Sequence, residues 1–216
     1  MLEAILFDLD GTLVDTAPDL AWVLNQQRAM HGLIEMPFDL IRPYASHGTA
    51  GLLQIGFSIG DDHPAYTELR SEYLALFESH GNQYSQLFPG MMEVLDELEM
   101  RGIPWGIVTN KPGWLTAPLL DQMGLDQRAA CVITGDTCAR SKPHPDPLLA
   151  ACAQINLPAN TCVYIGDAER DITAAHACGM PALIAEYGYI GPNDDPYTWY
   201  ADGSIAQPTD LFNYLA

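Results

Sequence analysis

Five short apolar runs, each ending in polar or glycine residues, constrain this chain more than any other feature. They are "EAILFDLD" (strand over about 3–9), "IPWGIVTN" (103–110), "ACVITGD" (130–136), "TCVYIGD" (161–167) and "MPALIAEYG" (180–188). The runs are continuous rather than alternating. A strand of that kind has no solvent face and belongs in a sheet covered on both sides. Between them lie segments of helical spacing: "PGMMEVLDELEMRG", "GWLTAPLLDQMG", "DPLLAACAQIN" and "AERDITAAHACG". Strands alternating with helices imply right-handed βαβ crossovers, so the expected class is α/β with a mainly parallel sheet.

Residues 15–85 break the alternation. "TAPDLAWVLNQQRAMHG" opens with a cap-like Thr16 and with Pro18 in the first turn, and predicts a helix to about His31. "HPAYTELRSEYLALFESHG" places Tyr66, Leu69, Tyr73 and Phe77 three and four residues apart, which predicts a second helix. Shorter pieces lie between, including the glycine-bearing "SHGTAG" (46–51). The expected organisation is a core of 1–14 and 86–216 with a helical insert over 15–85. From Gly191 the tail reads as irregular surface chain.

Charge narrows the partners. Nine Lys and Arg face 28 Asp and Glu, a formal net charge of −19. Such a surface repels phosphate backbones and anionic membranes, so neither nucleic acid nor membrane is an expected partner, and nothing points to an obligate protein partner. A small anion would need concentrated local cations. Lys111 and Lys142 are the only lysines, which makes their positions informative. Five cysteines without a Cys-x-x-Cys pair read as reduced thiols. The N-terminal residues lack a basic segment of the secretory type, so the expected compartment is the cytoplasm.

Ligands of open parallel sheets bind beyond the carboxyl ends of the strands. The polar residues expected there are Asp8 and Asp10, Thr109 and Asn110, and Gly166 and Asp167, with Asp171 one helical turn on. Asp8 and Asp10, two apart on a strand, can share a face. Bare carboxylates about 4 Å apart repel by about 4 kcal/mol at an effective dielectric of 20, and a hard cation relieves this. Oxygen ligands without a His or Cys set favour Mg²⁺, and Mg²⁺ held by carboxylates points to phosphate. Thr109, with the backbone N–H groups that follow it, and Lys142 in "SKPHPDP" are groups able to hold phosphoryl oxygens.

"DLDGTL" (8–13), Thr109 in "VTN", Lys142 in "SKP" and "GDAERD" (166–171) resemble, in order, the four motifs of the haloacid dehalogenase-like hydrolases. The resemblance covers nearly the whole core. It implies a Rossmann-like sheet with residues 15–85 as a helical cap inserted after the first strand. It also implies a Mg²⁺-dependent phosphatase acting through an aspartyl-phosphate. Asp8 would be the nucleophile and Asp10 the acid and base, while Thr109 and Lys142 would hold the phosphoryl group. Mg²⁺ would be bound by Asp8, the backbone carbonyl of Asp10 and Asp167, with Asp171 in support.

Asp10 argues against the dehalogenase branch, whose halide needs no proton. The absence of lysine from 15–85 argues against the branch that forms a Schiff base with a cap lysine. A phosphosugar mutase of the same superfamily and a non-enzymatic phosphoaspartate switch remain as alternatives. The whole chain resembles phosphoglycolate-phosphatase-like proteins. "VTNKPG", "SKPHPDPL" and "YGYIGP" also resemble N-acetylmuramic acid 6-phosphate phosphatases. The expected partner is therefore a small phosphate ester, with Thr109, Asn110, Lys142, His47 and Gly48 as substrate-binding candidates.

Overall fold

The computed structural model describes residues 2–215. In chain order the elements are β1 (Ala4–Phe7), β2 (Val14–Asp15), α1 (Ala17–Met30), α2 (Phe38–Ile41), α3 (Gly48–Phe57), α4 (Tyr66–His80), β3 (Gln86–Leu87) and α5 (Met91–Met100). There follow β4 (Trp105–Val108), α6 (Gly113–Met123), β5 (Cys131–Ile133), α7 (Asp146–Ile155), β6 (Cys162–Gly166), α8 (Glu169–Ala177), β7 (Ala182–Ala185) and β8 (Gly203–Ile205). The contacts divide the chain into two compact units. One runs to Val14 and resumes at Leu87, and the other is Asp15–Gln86.

The first unit is built on a six-stranded sheet of order β5-β4-β1-β6-β7-β8, with every pairing parallel. All four residues of β1 are fully buried, as a continuous apolar run in a doubly covered sheet requires. Its neighbours are in level register: Phe7 stands opposite Ile107 of β4 and Ile165 of β6. The carboxyl ends of β1, β4 and β6 therefore reach the same edge side by side. The connections leave in opposite directions on either side of β1, and such a switch point opens a crevice at that edge. One face of the sheet is closed by a cluster that includes Leu6, Val108, Leu148, Tyr164 and Ile172. Met91, Val94, Leu95 and Leu98 of α5 are also fully buried.

In the helical unit, α1 carries a buried polar centre. Asp19, with no exposed surface, accepts hydrogen bonds from Tyr84 N (3.0 Å) and Ser85 Oγ (2.6 Å) and pairs with His80 Nε2 at 2.7 Å. The imidazole of His80 stacks on Trp22 with ring centroids 4.0 Å apart. Tyr73 of α4 donates to Leu20 O at 3.0 Å, and Leu53, Ile59 and Leu69 form a small apolar cluster.

The glycine-bearing 46–51 stretch is the end of a 3-10 turn (Arg42–His47) followed by the ten-residue α3. Buried Leu52 and Leu53 anchor that helix despite its glycines. The tail is not wholly irregular: Gly203–Ile205 adds β8 alongside β7, and a 3-10 helix spans Pro208–Tyr214. A three-residue edge strand is too short to show a period. Among the described residues no helix is long and apolar enough to cross a membrane. The five cysteines are unbridged.

Candidate active site

The site begins where β1 stops. Leu9 O accepts from Leu13 N (3.0 Å) and Val14 N (2.9 Å), turning the chain through Gly11. Gly11 has φ +86°, and a Cβ there would lie 2.2 Å from Asp167 Oδ2 and 2.8 Å from the Tyr189 ring. The glycine of "DLDGT" thus does two things: it adopts left-handed backbone and lets the Asp167 carboxylate approach the β1 turn.

Asp8, Asp167 and Asp171 are all buried, and each offers a carboxylate oxygen within 4.8 Å of the others. Asp8 Oδ1 accepts from Leu9 N at 2.8 Å. Asp167 follows β6, and its carboxylate accepts from Tyr189 N (2.9 Å) and Thr12 Oγ1 (3.4 Å). Asp171 lies in the first turn of α8, and its Oδ2 accepts from Ala168 N at 3.1 Å. Gly166 makes room for it, since a Cβ at 166 would fall 2.5 Å from Asp171 Cβ.

Lys142 is the cation at the centre. Its side chain is fully buried, with Nζ 3.0 Å from Asp8 Oδ1 and 2.8 Å from Asp171 Oδ1. Its directed hydrogen bonds go to Val108 O (2.9 Å) and Tyr164 Oη (2.6 Å). Asp171 Oδ1 is thus ion-paired but, among the described residues, receives no directed hydrogen bond. The loop carrying Lys142 is clamped from β4: Asn110 Nδ2 donates to Lys142 O (2.9 Å), and Lys142 N donates to Asn110 Oδ1 (3.0 Å). Asn110, expected to touch substrate, here places its amide on the Lys142 backbone.

Thr109 is buried at the end of β4 and its hydroxyl accepts from Lys111 N at 3.1 Å. The Asp10 carboxylate lies outside the three-carboxylate group. Its Oδ1 accepts from Lys111 Nζ at 3.0 Å, and Asp10 also bridges to Val14 through the backbone. His47 and Gly48 belong to the helical unit, at the end of the 3-10 turn and the start of α3.

Three contributors escaped the sequence reading. Tyr164, inside the β6 run, donates to Val108 O at 2.6 Å and accepts from Lys142. Burial holds its phenol well above its ordinary pKa, so it stays neutral. Arg170 is charged beside the carboxylates: burial opposes the charge, but the fields of Asp171, Asp8 and Asp167 outweigh it. Lys111 stood out only as a rare lysine, with no partner assigned.

The donor set fits a hard divalent cation. Burial, with Asp171 and Asp167 adding to it against Lys142, raises the Asp8 pKa to about 7. Lys142 and Arg170 are two cations against three close carboxylates, and an all-oxygen set without His or Cys suits Mg²⁺-like ions rather than zinc.

A family model described as haloacid dehalogenase-like hydrolase matches residues 5–185. The chain belongs to that family. As a haloacid dehalogenase-like hydrolase it has relatives along its whole length. It is 44% identical over 214 residues to a phosphoglycolate phosphatase of Xanthomonas campestris pv. campestris, covering 99% of this chain and 96% of that one. It is 36% identical over 214 residues to the N-acetylmuramic acid 6-phosphate phosphatase of Pseudomonas aeruginosa, covering 99% and 95%. A crystal structure of a predicted phosphoglycolate phosphatase from Haemophilus somnus 129PT superposes with a TM-score of 0.86 at 26% identity, covering 100% and 98%. This kinship makes the hydrolase a phosphatase of its family.

Proposed function

We propose that the protein is a Mg²⁺-dependent phosphatase that hydrolyses a small organic phosphate monoester through an aspartyl-phosphate on Asp8. The observation that carries this reading is the meeting of three buried carboxylates with one buried lysine at the carboxyl ends of β1 and β6. Asp8, the Asp10 backbone carbonyl and Asp167, with Asp171 in support, would hold Mg²⁺, which would supply positive charge against the phosphoryl oxygens.

Leu9 N–H and Lys142 both address Asp8 Oδ1, which orients the other oxygen for attack on phosphorus. As the bond from phosphorus to the ester oxygen breaks, Asp10 gives its proton to the departing alkoxide. Asp10 then takes a proton from the water that attacks the aspartyl-phosphate, releasing inorganic phosphate and restoring Asp8. Thr109 and Lys142 hold the phosphoryl oxygens through both steps. The helical unit Asp15–Gln86 serves as the cap, and 46–51, with His47 and Gly48, is its substrate-selecting stretch.

The substrate class follows the relatives: a phosphoglycolate-like or N-acetylmuramate 6-phosphate-like ester. The test is phosphate release from both esters and a panel of sugar phosphates and nucleotides, with Mg²⁺ and with chelator. Asp8→Asn should abolish release while preserving the circular dichroism spectrum, and chelation should stop it reversibly. Near-normal release by Asp8→Asn rejects the nucleophile, and full activity in chelator rejects the metal.

A further inference from the structure

Lys111 has no part in the mechanism above, yet it stands against Asp10. Its side chain is 7% exposed, and Nζ lies 3.0 Å from Asp10 Oδ1. Its backbone is fixed on three sides. Lys111 N donates to Thr109 Oγ1 (3.1 Å), and Lys111 O accepts from Gly135 N (2.9 Å) and Thr116 Oγ1 (3.3 Å). A Cβ at Gly135 would come within 2.1 Å of Asn110 O, so the close approach that holds this loop depends on glycine. An ammonium on so rigid a base is a placed group rather than a loose surface charge.

We infer that Lys111 is a specificity-determining residue, whose ammonium receives an anionic group on the leaving alcohol. The favoured substrates are then phosphomonoesters with a carboxylate within two carbons of the ester oxygen. The inference rests on the reading of Asp10 as the acid. If Asp10 protonates the ester oxygen, that oxygen lies beside Asp10, and a short substituent on it lies beside the lysine that Asp10 already binds. The other cations of this unit answer other carboxylates: Arg170 lies in the fields of Asp171, Asp8 and Asp167, and Arg101 pairs with Glu97. Lys142 faces Asp8 and Asp171, Arg128 pairs with Asp96 and Glu99, and Arg140 pairs with Asp146. A second negative charge on the substrate needs local compensation in a chain of net charge −19. Passing from Asp10 to a substrate carboxylate gives Lys111 that role and leaves the Asp10 carboxyl to carry the proton it gives the alkoxide.

The experiment compares phosphoglycolate with its primary amide, which keeps the ester and the size and loses the charge. Phosphate release with Mg²⁺ is read as kcat/KM for each. The wild-type enzyme should favour the acid about 10- to 100-fold, the range for a charged hydrogen bond. Lys111→Met should bring the ratio toward parity, and Lys111→Arg should keep most of it. Equal rates for acid and amide in the wild type overturn the inference without any variant. So does a preference that survives in Lys111→Met, or faster turnover of N-acetylmuramate 6-phosphate than of phosphoglycolate. Failure of the phosphatase reading looks different: the wild type then releases phosphate from none of these esters.

Discussion

Removing the Lys142 ammonium while keeping its length, as in Lys142→Met, tests the electrostatics of the site directly. The ammonium lies 3.0 Å from Asp8 and 2.8 Å from Asp171, with the lysine side chain and that of Asp171 fully buried. At an effective dielectric of 20, each pair is worth about 6 kcal/mol of attraction, offset by the desolvation of three charges. Deleting one partner of a buried pair costs about 3–5 kcal/mol, because the remaining charges stay buried and uncompensated. Tyr164 Oη and Val108 O also lose a donor. In chelator, urea unfolding should show Lys142→Met destabilised by about 3–5 kcal/mol. Adding Mg²⁺ should stabilise the variant more than the wild type, because its carboxylates have a greater deficit of positive charge. Phosphate release should fall at least about 10²-fold with Mg²⁺ saturating, as when a preorganised donor is lost. A variant as stable as the wild type in chelator, with the same gain from Mg²⁺, would refute the reasoning.

Two further substitutions probe positions the mechanism does not touch. A Cβ at Gly188 would sit 2.3 Å from Asp167 Cβ and 2.6 Å from Gly11 O, where backbone cannot yield. Gly188→Ala should therefore cost about 1–3 kcal/mol and raise the Mg²⁺ concentration needed for half-maximal activity; unchanged metal dependence counts against the Asp167 assignment. Asp19→Ala leaves His80, Tyr84 N and Ser85 Oγ without their acceptor. The helical unit should lose about 3 kcal/mol, with altered Trp22 fluorescence because Trp22 stacks on His80. A normal unfolding midpoint would show that this buried cluster contributes little.

Much of the fold was legible because buried parallel strands announce themselves as unbroken apolar runs, and β1, β4, β5, β6 and β7 all lie within the runs that mark them. The meeting of Asp8 with Asp167 and Asp171 was legible as well, since the ends of β1 and β6 share an edge, whereas Lys142, in the loop between β5 and α7, stood out only by its rarity and its place in the motif order. What escaped depends on side chains reaching across strands. Tyr164 looks like one more apolar residue of β6, and only the register beside β1 reveals that its hydroxyl meets Lys142. Lys111 and Asp10 are 101 residues apart, and nothing local to either predicts the pair. Arg170 sits between Asp167 and Asp171 in "GDAERD", where spacing says nothing of burial. β8 was invisible because Gly203–Ile205 is stabilised by the strand it joins rather than by its own composition.

Asn110 has a consequence beyond its own hydrogen bonds. Thr109, Asn110 and Lys111 are consecutive, and they fix a hydroxyl, the backbone of the loop bearing Lys142, and the partner of Asp10. Three components of the proposed chemistry are bolted to a single bracket three residues long. Its tolerance for insertion or deletion is correspondingly nil: a shift of one residue would misalign all of them at once.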